Sequence, residues 1–132
     1  MIEESDAMLG LVEACPSFGP AWEEHRRENG NELLYSAAGE FARHLLDLHK
    51  ADRMSTFPAV AAAIERLHVE GSPWVREFAT IGVLEGIQNV WGNSGVDPAH
   101  FAAYLGPEAL RWWNGLYEFW NGRAKYVRAY DP

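Results

Sequence analysis

The side chains with the richest chemistry in this sequence are five histidines, one cysteine and a set of carboxylates. Glu65-Arg66-Leu67-His68 sets a carboxylate and an imidazole three residues apart, the spacing by which helical bundles aim two metal ligands at one point. Glu40, His44 and Asp47 share a second helical face at i, i+4 and i+7. Together Glu40, His44, Glu65 and His68 define one reading, a helical-bundle enzyme that binds a metal or small ligand. A di-metal centre of that kind needs two Glu-x-x-His copies and two further carboxylates, and the chain has one copy. Glu40 and His44 also flank an apolar stripe, where a hydrogen bond along the helix surface accounts for both. The metal-enzyme reading therefore ranks second, and no metal or cofactor is expected.

Nucleophilic chemistry has less support. Cys15 ends a helix beside Pro16, whereas an activated thiolate favours a helix N-terminus or a cationic neighbour. Ser36, Ser55, Ser72 and Ser94 read as helix caps or loop residues, and none sits in a Gly-x-Ser-x-Gly elbow. Gly92-Asn93-Ser94-Gly95 lacks the lysine and the preceding strand of a phosphate-binding loop and reads as a turn. No catalytic residue is expected.

The aromatic residues say more. Six tryptophans occur in 132 residues, and Trp112, Trp113, Tyr117, Phe119 and Trp120 crowd one segment. At about 100° per residue, Trp113, Leu116, Tyr117 and Trp120 fall on one helical face, while Trp112 and Phe119 project from another. The first face suits a core. The second needs a cover, from the C-terminal tail, a loop or a partner, and tryptophan and tyrosine are typical interface anchors.

Helical periodicity must position all of these residues. Met8, Leu11, Val12 and Cys15 predict a helix over about 3–15, ended by Pro16. Pro20 opens a short second helix to about Glu28, and Asn29-Gly30-Asn31 stops it. Leu34, Ala38, Phe41, Leu45 and Leu48 predict a third over about 32–52. A fourth runs from Ser55 or Thr56 to Gly71. Ser72-Pro73 pairs an N-cap with a first-turn proline and opens a fifth over about 73–91, apolar nearly all round and hence central. Gly82 and Gly86 within it suggest a close backbone neighbour. A buried strand over Phe78–Val90 is the alternative, but 13 residues without alternation favour a helix. A short sixth helix spans Asp97 to Leu105, and a seventh spans about 107–121 with Gly122 as its stop. The expected fold is all-α, a single domain over 1–132 with six or seven helices around the 73–91 helix.

Composition narrows the partners. The net charge is −8 and the pI about 5.0, which disfavours nucleic acid and anionic membranes as ligands. Residues 1–52 carry −7 of that charge. The N-terminus Met1-Ile2-Glu3-Glu4 lacks the basic start of a secretory signal, and no apolar run reaches the ~18 residues of a membrane span. One cysteine excludes an internal disulfide. A cytoplasmic protein is expected.

Leu105-Gly106-Pro107-Glu108, Trp112-Trp113 and Leu116-Tyr117-Glu118-Phe119-Trp120 resemble the C-terminal signature of a bacterial family of small stand-alone helical proteins of unknown function. Ile64 to Leu67 and Phe78 to Gly86 are similar to its middle part, so the resemblance covers about residues 30–121. In size and charge the chain also resembles immunity proteins of polymorphic toxin systems, which bind a cognate toxin domain. That resemblance implies a non-enzymatic protein occluding a cationic toxin domain such as a nuclease. Glu23, Glu24, Glu28 and Glu32 would steer the basic partner, with Trp112 or Phe119 as the anchor. A homo-oligomeric adaptor using the same aromatic face is the third reading.

Overall fold

Helix boundaries follow the glycines, the prolines and one left-handed leucine. A computed structural model describes all of residues 1–132. It places α1 at Leu9–Ala14, α2 at Gly19–Asn29, α3 at Leu34–Lys50 and α4 at Phe57–Glu70. Next comes a helical rod made of α5 (Pro73–Glu77), a π-helical segment (Phe78–Leu84) and α6 (Glu85–Asn93). The short α7 (Ala99–Ala102) and the longer α8 (Pro107–Trp120) complete the fold. Counting the rod once there are seven helices and no strand, and one isolated bridge joins Ile2 to Gly71. None of the helices is long and apolar enough to cross a membrane.

Several boundaries differ from those the sequence suggests. The first helix is broken into a 3-10 turn, Glu4–Asp6, and α1. Its start is tied elsewhere: the Ile2 amide donates to Glu70 O, and Ile2 O accepts from Ser72, each at 2.8 Å. The third helix begins at Leu34 rather than 32 because Leu33 holds a φ of 56°, outside the helical region. The sixth shrinks to four residues, with Asp97 Oδ1 accepting the Ala99 amide at 2.9 Å. The rod runs to Asn93, two residues past its expected end.

The rod is central, as its composition indicates. Phe78, Ala79, Val83, Leu84, Ile87 and Trp91 are buried in one core that extends from Ala7 to Leu116. Burial is not complete all round, however, since Ile81 and Val90 stay half-exposed at two grooves. Helix α3 packs along α6 and the π segment, and α4 packs on α1, α5 and α8. Trp91 Nε1–H donates to Ala42 O at 3.1 Å and Gln88 Nε2–H to Trp113 O at 3.2 Å, fastening α6 to α3 and α8. The two rod glycines do different work from the one expected. Gly82 lies under its own helix's Phe78 ring, where a Cβ would sit 2.9 Å from Cδ1. Gly86 faces Ala38 O and Ala42 of α3 at an ordinary 3.8 Å.

Candidate functional site: a tryptophan-lined groove and an exposed indole

The metal constellation disperses in three dimensions. Glu65 Oε1 accepts the Ala109 amide at 2.8 Å and Oε2 accepts the Glu108 amide at 3.0 Å, so a side chain of α4 caps the N-terminus of α8. A Cβ at Gly106 would lie 2.8 Å from that carboxylate, so the cap depends on the glycine before the helix. His68, on the next turn, is buried. Its Nδ1–H donates to Ile64 O at 2.9 Å, which leaves Nε2 to accept the Thr80 hydroxyl at 2.9 Å. Burial pushes the His68 pKa down, against the opposing pull of Ile64 O, Glu65 and Glu108. Glu65 and His68 therefore lock α8 and the rod to α4.

Glu40, His44 and Asp47 do share one face and line one open groove, but Glu40 and His44 turn to different partners. Glu40 Oε2 lies 3.4 Å from His25 Nδ1, and His25 Nε2–H donates to Glu32 O at 3.1 Å. His44 Nε2 is 2.7 Å from Ser17 Oγ. No cluster of three or more His, Cys, Asp or Glu side chains forms. The Ser17–His44 contact was hidden in the sequence, since Ser17 sits in a 3-10 turn and its partner lies 27 residues away. Burial lowers the His44 pKa, with the Asp47 charge acting the other way. Nothing is hydrogen-bonded to His44 Nδ1, so this pair lacks the third group that orients a catalytic base. Cys15 is buried, with weak sulfur contacts to Ser17 at 3.6 Å and Thr56 at 3.8 Å.

Glu23, Glu24, Glu28 and Glu32 are all exposed, on α2 and the turn after it. Arg26 and Arg27 are exposed on the same helix, and Arg26 lies 3.8 Å from Glu23, so the ridge is acidic but interleaved with positive charge.

The aromatic helix α8 divides differently from its helical wheel. Trp113 and Leu116 enter the core, but Tyr117 is partly exposed and Trp120, assigned to the same inner face, is 60% exposed. The last turn of α8 extends past the core, and Trp120 Nε1–H donates to Glu85 Oε2 of the rod at 3.0 Å. Trp112 and Phe119, expected to project outward, are half-buried. Phe119 packs edge-on to Trp120 with centroids 5.3 Å apart.

Trp112 lines a groove of about 460 Å³ between the rod and α8. Pro73, Arg76 and Glu77 of α5, Thr80 and Ile81 of the π segment, and Val127 of the tail complete it. The tail is held by the Tyr130 amide, which donates to Arg111 O at 2.9 Å, and by the Arg111–Asp131 ion pair at 2.9 Å. It crosses α8 where Gly115 has no side chain, because a Cβ there would overlap the Arg128 carbonyl.

No curated protein and no solved structure matches this chain. A family model matches residues 8–121, which reach from the residue before α1 to the residue after α8. The chain belongs to that family, described as a domain of unknown function, DUF7674.

Proposed function

We propose that this chain is a cytoplasmic, non-enzymatic binding protein, most concretely an immunity protein that occludes a cationic toxin domain such as a nuclease. Trp120 carries the reading. A large indole held 60% in solvent, aimed by a bond from its N–H to Glu85 and packed edge-on against Phe119, has lost part of its rotamer freedom before binding. Such preorganised aromatic anchors dominate interface energetics. The net charge of −8 and the exposed Glu23, Glu24, Glu28 and Glu32 favour a basic partner through its rate of encounter. Nucleases present such a surface because their substrate is polyanionic.

Co-expression with a nuclease toxin domain encoded beside the gene tests this directly. The wild-type chain should rescue growth, and Trp120→Ala should weaken the complex by about 2 kcal/mol, roughly thirtyfold. Unchanged killing in the presence of the wild-type chain would overturn the reading.

A further inference from the structure

The larger grooves of this chain are electrically mixed. The groove at Trp112 holds Arg76 beside Glu77, the groove at His44 sets Arg43 among Glu40 and Asp47, and the hollow at Gly30 has Glu23 with Arg26 and Arg27. The loop after α8 differs. Residues 121–130 carry Arg123, Lys125 and Arg128 and no acidic residue, in a chain whose net charge is −8. Arg123, Ala124, Lys125, Tyr126 and Arg128 surround a concavity of about 270 Å³ with no carboxylate in its lining. The sign of an occupant is thereby set: it is an anion.

Both ends of this loop are fixed. Gly122, at φ 76°, closes α8 with the Arg123 amide donating to Glu118 O at 2.8 Å, and the Arg123 guanidinium pairs with the Glu118 carboxylate. At the other end the Arg128 carbonyl fills the space left by Gly115, and the Tyr130 amide donates to Arg111 O at 2.9 Å. Between those anchors the donors are free. The amides of Ala124, Lys125, Tyr126 and Arg128 donate to no backbone group of the chain, and the Lys125 and Arg128 side chains join no ion pair.

We propose that this loop binds the phosphate group of a small phosphate monoester. Backbone amides and cations gathered around one hollow make the kind of concavity that takes an oxyanion. Two uncommitted cations match a dianion: Arg128 suits bidentate contact with two phosphate oxygens, and Lys125 supplies a point charge. A volume of about 270 Å³ is larger than one tetrahedral anion needs and lies just below the ~300–1,000 Å³ of common ligand sites, which leaves room for a short substituent. Tyr126, 66% exposed, offers a ring on which a planar substituent can stack. A small anion meets the loop alone, whereas nucleic acid or a membrane would also meet the −7 of residues 1–52. Neither Trp120 nor the acidic ridge takes part, so this site stands independently of the proposed partner.

The test is a titration of the ¹⁵N-labelled full chain with phenyl phosphate at constant ionic strength, read from amide shifts. The amides of Ala124, Lys125, Tyr126 and Arg128 should move together along one saturating curve, and those of Arg26 and Arg27 should stay still. Inorganic phosphate should saturate the same amides more weakly, and Tyr126→Ala should bring phenyl phosphate down to that level. Lys125→Gln and Arg128→Gln should each weaken phenyl phosphate about fivefold, with the helical circular dichroism spectrum unchanged. Phenyl sulfate, with one charge fewer, should bind more weakly than phenyl phosphate. Shifts that do not saturate, equal binding of phenyl sulfate, or unchanged affinity in any of the three variants would overturn the proposal.

Discussion

Glu65 Oε1 accepts the Ala109 amide at 2.8 Å, so helix α4 supplies from a distance of 44 residues the cap that α8 does not provide for itself. Two amides at the positive end of a helix dipole are satisfied by one carboxylate. Glu65→Ala should lower stability by about 1–3 kcal/mol, and Glu65→Gln, which keeps one acceptor oxygen, by less. Urea unfolding of the two variants measures this. Equal losses in both would show that the charge and not the cap geometry matters, and no loss in either would contradict the capping role.

That relationship also shows where sequence reasoning reached and where it stopped. Ser72-Pro73, Gly71, Gly122 and the prolines at positions 20 and 107 mark helix ends through local backbone chemistry, so six or seven helices around a central rod are legible. A Glu-x-x-His motif is ambiguous because its spacing only says that two side chains share a face. Whether they meet a metal, or a helix N-terminus and a threonine, is decided by partners 44 and 12 residues away. The π segment was invisible since its apolar residues satisfy an α-helical pattern equally well. Trp120 was misplaced because a helical wheel gives the direction of a side chain and not where the core ends.

His68 gives the fold a pH dependence of known sign. Its folded pKa is lowered by burial, so the native state holds it neutral while the unfolded chain protonates near the ordinary histidine value. The stability it contributes is complete above pH ~6.5 and is lost as pH falls below that toward the folded value. His44 adds a loss of the same sign. Urea midpoints measured from pH 7.5 down to 5 should fall for the wild type, with a shallower slope in His68→Asn. A midpoint that rises on acidification, or slopes that coincide, would refute this assignment.

The tail depends on Gly115. Gly115→Ala places a methyl group onto the Arg128 carbonyl, and the segment must lift to accommodate it. Trypsin should then cleave after Arg123, Lys125 and Arg128 faster in the variant, while the helical circular dichroism spectrum stays the same. Equal cleavage rates would show that the tail is not seated against α8.

Ser17 and His44 provide a test of the proposed non-enzymatic reading. A hydrogen bond of 2.7 Å to a histidine of lowered pKa is the first element of a nucleophilic pair, but nothing orients the imidazole through Nδ1. A fluorophosphonate probe should leave the wild-type chain unlabelled. Covalent labelling at Ser17 that disappears in His44→Gln would promote an esterase-like function over the binding one.

The most direct measurement of the central claim is calorimetric titration of the purified chain with the neighbouring toxin domain, at low and at physiological salt. The account predicts a one-to-one complex of nanomolar affinity that weakens as salt rises and loses about thirtyfold in Trp120→Ala. Absence of binding, or an affinity indifferent both to salt and to Trp120, would contradict it.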